Sequence, residues 1–149
     1  MTNELWIEDL IIGYRFRTDA YKLTADDIVE FASKWDPQPF HVGEETARET
    51  FFKGLAASGW HTAAITMRLL VTSGIPLAGG IIGAGVDVAW PTATRPGDQL
   101  HVEGEVVDIH TPKSHSSRGL ISLTYDTVNQ DGEVRQSSKA RLLAFARPQ

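Results

Sequence analysis

An apolar helical segment in the middle of the chain constrains the fold more than any other feature. Apolar residues recur there at helical spacing: Trp60, Ala63, Ala64, Met67, Leu70 and Val71. Ile65 and Leu69 lie on the opposite side, so the predicted helix is apolar over most of its circumference. We expect such a helix to be largely buried, with other elements wrapped around it.

The second half of the chain supplies those elements as a series of strands. Short β segments are predicted over residues 80–91, and alternating apolar and polar residues predict strands over 100–106 and 118–129. A last strand follows the Asp131-Gly132 hairpin signal. One buried helix beside a run of antiparallel strands predicts an α+β fold in which the sheet wraps the helix. The edge strands of such a sheet need partners, which favours a homodimer.

The first half predicts shorter elements. A first strand is predicted from Tyr14 to Leu23, and Thr24 then has the spacing of an N-cap for a helix over residues 25–35. This helix must end before the two prolines of the next segment, and residues 44–50 predict a further helical turn. Because no linker or repeat divides the chain, residues 1–149 are interpreted as a single domain.

Composition excludes several kinds of protein. The 149 residues contain no cysteine, which excludes disulfides, thiol nucleophiles and cysteine-ligated metals. The net charge of −5 without a basic run is unfavourable for nucleic-acid binding. The first residues lack the basic start and apolar core of a signal peptide, and the apolar stretch 75–88 is too short to span a bilayer. We therefore expect no membrane association and a cytoplasmic location.

The segment Asp36-Pro37-Gln38-Pro39-Phe40-His41 is the strongest candidate for chemistry. It places a carboxylate and an imidazole five residues apart in a loop that two prolines stiffen, as proton transfer requires. Two structural explanations remain open for these residues. Asp before Pro is common in turns, and a single His beside Phe often only packs.

A second candidate is the small-residue segment from Gly54 to Gly59, which leads into the apolar helix. Unpaired N–H groups and the helix dipole at such a terminus favour a carbonyl oxygen that gains negative charge. The alternative is that small residues here only permit close packing, with Ser58 as an N-cap.

These two segments together resemble the MaoC-like acyl dehydratases, which include the (R)-specific enoyl-CoA hydratases. The resemblance extends over roughly residues 8 to 146 and rests on the pattern Asp-x-Gln-Pro-x-His followed by the glycine that opens the helix. It implies a hot dog fold and interconversion of trans-2-enoyl and 3-hydroxyacyl thioesters. It also implies a homodimer with a continuous sheet, or a higher homo-oligomer built from such dimers. Gln38 stands where the family usually has Asn, and Ser58-Gly59-Trp60 stands where His-Gly-Met is commoner.

The resemblance also implies roles for particular residues. Asp36 and His41 would be the catalytic pair, and the N–H of Gly59 would form the oxyanion hole. The substrate would contact Phe40, Ser58 and Trp60. No metal and no cofactor is expected, apart from coenzyme A as part of an acyl-CoA substrate.

Two other functions are compatible with the same residues. A hot dog thioesterase also needs a polarised thioester carbonyl and an activated water, and a non-catalytic module would bind the acyl thioester without turnover. Lys113, His115 and Arg118 form a small basic cluster that either meets the phosphates of coenzyme A or is a solvated loop. For His61 we expect packing or capping rather than contact with substrate.

Overall fold

The computed structural model describes residues 3–113 and 117–149. Its strands are β1 (Arg15–Arg17), β2 (Tyr21–Lys22), β3 (Ile82–Ala89), β4 (Gln99–His110), β5 (Arg118–Val128) and β6 (Val134–Phe145). They form one antiparallel sheet in the order β1-β4-β5-β6-β3, and β2 also pairs with β4, next to β1. Together with the helices, this arrangement confirms the α+β class.

Four α-helices precede the long strands. They are α1 (Ala25–Trp35), α2 (Pro39–Val42), α3 (Glu44–Ala47) and α4 (Gly59–Leu69), and a π-helical turn, Leu70–Gly74, extends α4. The start of α1 is the predicted one: Asp27 N donates to the Thr24 hydroxyl, and Thr24 N donates to the Asp27 carboxylate. No helix within residues 3–113 and 117–149 is long and apolar enough to cross a lipid bilayer.

Two predictions for the first half are corrected. The first strand is two short strands, because the chain leaves the sheet between Arg17 and Tyr21. Thr18 N still donates to Val102 O, but Val102 N donates to the Thr18 hydroxyl and not to a backbone carbonyl. The stiff loop that ends at His41 is partly helical, because Pro39 occupies the first position of α2, where its missing N–H costs nothing.

The central helix α4 is buried on one side only. Ile65 and Leu69 pack into the core, together with Val102 of β4 and Leu142 of β6. The opposite side of α4 is exposed: Trp60 is 64% exposed and Met67 and Val71 also face outward. The expectation of a largely buried helix is therefore wrong for a single chain, because the sheet covers one face of the helix and leaves the other apolar face uncovered.

Candidate active site

Two short helices bring Asp36 and His41 together. Asp36 is the C-cap of α1, and His41 lies in the single turn of α2. The Oδ2 atom of Asp36 lies 3.4 Å from the Nε2 atom of His41, with 19% and 6% of the two side chains exposed. A carboxylate and an imidazole at this distance can share one water molecule or one proton.

The backbone fixes the imidazole of His41. Its Nδ1 atom lies 2.5 Å from the carbonyl oxygen of Ala56, and since a carbonyl only accepts, Nδ1 carries the hydrogen. Ala56 N in turn donates to Phe40 O, and the Phe40 ring meets the imidazole edge to face at 4.5 Å. When the ring is neutral, this hydrogen bond leaves the lone pair on Nε2, the atom that faces Asp36.

Hydrogen bonding keeps Asp36 ionised. Its partial burial raises the pKa, but hydrogen bonding from Ser58 and Gln38 and the charge of His41 outweigh that cost, so the pKa lies below its usual value. Gln38 Nε2 donates to Asp36 Oδ1 at 2.6 Å. The Ser58 hydroxyl is fully buried and makes no hydrogen bond of ordinary geometry, yet it lies near enough to favour the carboxylate.

The start of α4 forms another wall of the site. Gly59 is the first residue of α4, where N–H groups have no partner within the helix. The Trp90 ring packs directly on Gly59: a Cβ built there would lie 2.6 Å from the ring. Trp90 Nε1 donates to Gln136 Oε1 at 2.9 Å, which holds the ring in place. The first position of α4 therefore has no room for a side chain while the Trp90 ring is in place.

A cavity of about 280 Å³ adjoins both His41 and Gly59. A larger groove of about 550 Å³ lies over β1, β4 and β5 and contains none of the predicted site residues. The smaller cavity therefore defines the candidate active site. Its remaining lining residues are Phe52, Ala57, Thr62, Trp90, Thr92, Ala93, Thr94 and Arg135.

The three residues predicted to contact substrate lie outside this lining. Phe40 packs between His41 and Phe52 against the core. Ser58 is fully buried beside Asp36, and Trp60 lies on the exposed side of α4 against Trp90. Asp36 is also outside this lining and adjoins the site through its contact with His41. His41 and Gly59 both line the cavity, and the roles of the three residues stay predictions.

The sequence also made predictions for His61 and for the basic cluster of Lys113, His115 and Arg118. His61 is buried and stacks on Phe31 with a ring separation of 4.5 Å, as expected for a packing residue. In the basic cluster, Lys113 and Arg118 are exposed, and His115 lies outside the described residues. Arg118 begins β5 at the end of the sheet opposite Arg135, about 30 Å away by strand length.

Residues that sequence reasoning missed come from distant parts of the chain. Trp90, Thr94 and Arg135 line the cavity and are not among the site residues that the sequence predicted. Arg135 is buried because its guanidinium pairs with Asp98, with Nε to Oδ2 at 3.0 Å. No local pattern connects positions 37 residues apart. Within residues 3–113 and 117–149, no cluster of three or more His, Asp or Glu side chains is arranged to hold a metal ion.

The comparisons with known proteins agree with this geometry. A family model described as "MaoC like domain" matches residues 10–127. The chain is 35% identical over 127 residues to the protein YdeM of Bacillus subtilis. This match covers 83% of this chain and 87% of that protein.

Solved structures show the same fold. A MaoC-like dehydratase from Rhodospirillum rubrum has a TM-score of 0.95 and 56% identity, over 97% of this chain and 99% of that one. The R-hydratase PhaJ1 from Pseudomonas aeruginosa has a TM-score of 0.76 and 24% identity, over 97% and 88% of the two chains. The antiparallel sheet around a central helix is therefore the hot dog fold that the resemblance implied.

Proposed function

Because the chain belongs to the family of MaoC-like domains, we propose that it interconverts trans-2-enoyl and 3-hydroxyacyl thioesters of coenzyme A. The observation that carries this proposal is the 3.4 Å approach of Asp36 to His41 beside the first turn of α4. Coenzyme A as the carrier rests on the family resemblance. No other cofactor is proposed, since hydration needs only proton transfer and charge stabilisation.

In the hydration direction, one water is held between the two side chains. The carboxylate of Asp36 accepts one hydrogen of the water, and the lone pair of His41 Nε2 takes the other as the oxygen bonds to C3. The π electrons of the C2–C3 bond move toward the thioester, whose oxygen becomes enolate-like. The proton on Nε2 then passes to C2, which completes addition of one water molecule.

The residues around the substrate favour both charged groups that form in these steps, the imidazolium and the enolate-like oxygen. The hydrogen bond from Nδ1 to Ala56 leaves Nε2 free to act as the base, and Asp36 stabilises the imidazolium that forms. The N–H of Gly59 donates to the thioester oxygen as it gains charge, where one such donor is worth roughly 3–4 kcal/mol. The Trp90 ring packs on Gly59 beside that donor.

The test follows crotonyl-CoA in two channels, the absorbance of the conjugated enoyl thioester and the release of free thiol. We expect the absorbance to fall without thiol release. Thiol release would instead support a thioesterase, and tight binding without any product would support a binding module. Asp36→Asn and His41→Ala should each lower the hydration rate by about 10²–10⁴. Full hydratase activity in both variants would contradict the assignment.

We further propose that two copies associate through an apolar face formed by the exposed side of α4 and the inner face of β3. This apolar face consists of Trp60, Met67, Val71, Val86 and Trp90, which are 40–64% exposed in the single chain. The strand β3 is at the end of the sheet, so one of its edges can pair with a second copy. An apolar patch beside an unpaired strand edge is typical of a subunit interface.

A further inference from the structure

The cavity beside His41 has polar groups where an alkyl chain would need apolar ones. Phe52, Ala57, Ala93 and Trp90 form its apolar part. Thr62, Thr92, Thr94 and Arg135 line the rest. An acyl group that reaches these residues removes water from them, and a buried donor without an acceptor is costly.

Thr94 holds an unused donor in this lining. Its side chain is 3% exposed, and its hydroxyl oxygen accepts a hydrogen bond from Thr62 Oγ1 at 2.9 Å. A hydroxyl has one hydrogen of its own to donate. Among residues 3–113 and 117–149, that hydrogen of Thr94 has no acceptor, so it is available to a group in the cavity.

Arg135 offers a second donor in the same lining. Three of its five N–H groups are engaged: Nε and Nη2 bond Asp98 at 3.0 and 3.4 Å, and Nη1 bonds Thr92 at 3.0 Å. Nη2 also lies 3.8 Å from Glu133 Oε1, which can take its second hydrogen. The remaining N–H group without an acceptor is the second one on Nη1. Arg135 is 7% exposed, so this donor is also buried.

The charge of Arg135 is already balanced. Asp98 accepts from Nε and Nη2 along one edge of the guanidinium, and it also accepts from Arg95 N at 2.8 Å and from Asn129 Nδ2 at 3.1 Å. A carboxylate on the substrate would compete with Asp98 for the same cation and would lie near its negative charge. An uncharged oxygen takes the free N–H without this repulsion.

We propose that this site takes a short acyl thioester that bears an uncharged hydroxyl or carbonyl oxygen beyond C3, bound by Thr94 and Arg135. The apolar lining contacts the carbons of the acyl chain, and the two free donors select the oxygen. The proposal rests on the function proposed above, in that the thioester lies at Gly59 and the acyl group extends into the cavity.

Binding of saturated thioesters tests the proposal without any reaction at C2 and C3. The matched ligands are 4-hydroxybutyryl-CoA against pentanoyl-CoA, and 5-hydroxypentanoyl-CoA against hexanoyl-CoA, because each pair differs only by an OH in place of a CH₃. By isothermal titration calorimetry, we expect the hydroxylated member of at least one pair to bind about three- to tenfold more tightly. Equal or tighter binding of both alkyl members, or no binding of any, would overturn the proposal.

Variants of Thr94 assign the preference to this lining. Thr94→Val has nearly the same shape and removes the donor, so the affinity ratio within the pair should fall toward one. Thr94→Ser keeps the hydroxyl and should keep the ratio. A ratio that survives in Thr94→Val would overturn the role of Thr94. Arg135→Lys is a second variant that keeps the cation beside Asp98, and it should also lower the ratio.

A third ligand, succinyl-CoA, tests the charge argument. We expect it to bind less tightly than 4-hydroxybutyryl-CoA, and tighter binding would overturn the choice of an uncharged oxygen. Failure of this proposal is distinct from failure of the proposed function. Hydration of crotonyl-CoA without a hydroxyl preference overturns only the substrate class. A hydroxyl preference without hydration of either crotonyl-CoA or trans-4-hydroxybut-2-enoyl-CoA overturns only the reaction.

Discussion

Arg95 donates a hydrogen bond from Nη2 to the backbone carbonyl oxygen of Phe52 at 2.7 Å. Its Nη1 atom donates to the carbonyls of Gly54 and Leu55 at 3.1 and 3.2 Å. These carbonyls belong to the segment that continues into Ala56, whose own oxygen holds Nδ1 of His41. Arg95 thus fixes the backbone that orients the imidazole, without contact to the cavity itself.

We expect Arg95→Met to lower both stability and activity. The change leaves three partly buried carbonyls without their charged donor, so the free energy of unfolding should fall by about 2–3 kcal/mol. Urea denaturation measures this, and the crotonyl-CoA assay should show a lower kcat. The control is Arg48→Met, which removes an exposed ion pair to Glu45 and should change stability by less than about 0.5 kcal/mol. Equal urea midpoints for the two variants would contradict the role of Arg95.

Gln38 should help to hold the pKa of Asp36 low. Its amide donates to Asp36 at 2.6 Å, and this hydrogen bond favours the ionised carboxyl. Gln38→Ala removes the donor, so the pKa of Asp36 should rise toward its usual value. Carbon NMR of the Asp36 carboxyl against pH measures this change. Gln38→Asn keeps an amide and should raise the pKa less. An unchanged pKa of Asp36 in Gln38→Ala would show that the amide does not act on it.

The parts of the structure that sequence predicted well depend on local signals. The helix over residues 25–35 was predicted at both ends, because Thr24 caps its start and a proline follows its last turn. The pair Asp36 and His41 was found for the same reason, since both lie within six residues of chain. The helical turn of α2 was missed because Pro39 was interpreted as stiffening a loop rather than as starting a helix.

What sequence could not predict depends on distant contacts. Apolarity around α4 predicts burial but not whether the chain's own sheet or another molecule covers each side. The polar lining of the cavity is formed by α4, by the segment after β3 and by the start of β6, which only the tertiary fold brings together. Thr94 and Arg135 therefore gave no recognisable pattern in the sequence.

Burial of His61 should make stability depend on pH. Burial lowers the pKa of His61 from 6.5, and the charge of Asp27 opposes this only in part. As the pH falls below about 6.5, the unfolded chain takes up a proton that the folded chain does not, so the free energy of unfolding decreases. His61→Phe keeps the ring stack on Phe31 and should lose less stability between about pH 7.5 and pH 5.

Urea denaturation at the two pH values measures this difference. His110→Gln is the control, because His110 is exposed at the end of β4 and its replacement should keep the pH dependence of the wild type. The same loss of stability in His61→Phe as in the wild type would contradict the prediction.

Gly59 should tolerate no side chain while Trp90 is in place. A Cβ at residue 59 would lie 2.6–2.9 Å from three atoms of the Trp90 ring, so Gly59→Ala forces the ring away from the site. We expect a loss of about 1–3 kcal/mol in stability and a lower kcat. Gly83→Ala is the control, since nothing lies within 4 Å of its Cβ position. Stability should recover when Trp90→Val accompanies Gly59→Ala, and a lack of recovery would show that the overlap is not the cause.

The apolar face predicts that the protein is a dimer that a single charge can separate. Val86 lies on β3 with 56% of its surface exposed and belongs to the proposed interface. Burial of a carboxylate there without a partner is strongly unfavourable, so Val86→Glu should give a monomer in light scattering coupled to size-exclusion chromatography, where the wild type gives a dimer. Ile12→Glu introduces the same charge at a similarly exposed side chain just before β1, at the opposite end of the sheet from β3, and should remain a dimer. A monomeric wild type, or a dimeric Val86→Glu variant, would show that this face is not the interface.

Because Trp90 belongs both to the interface and to the cavity, the monomer should also hydrate crotonyl-CoA more slowly.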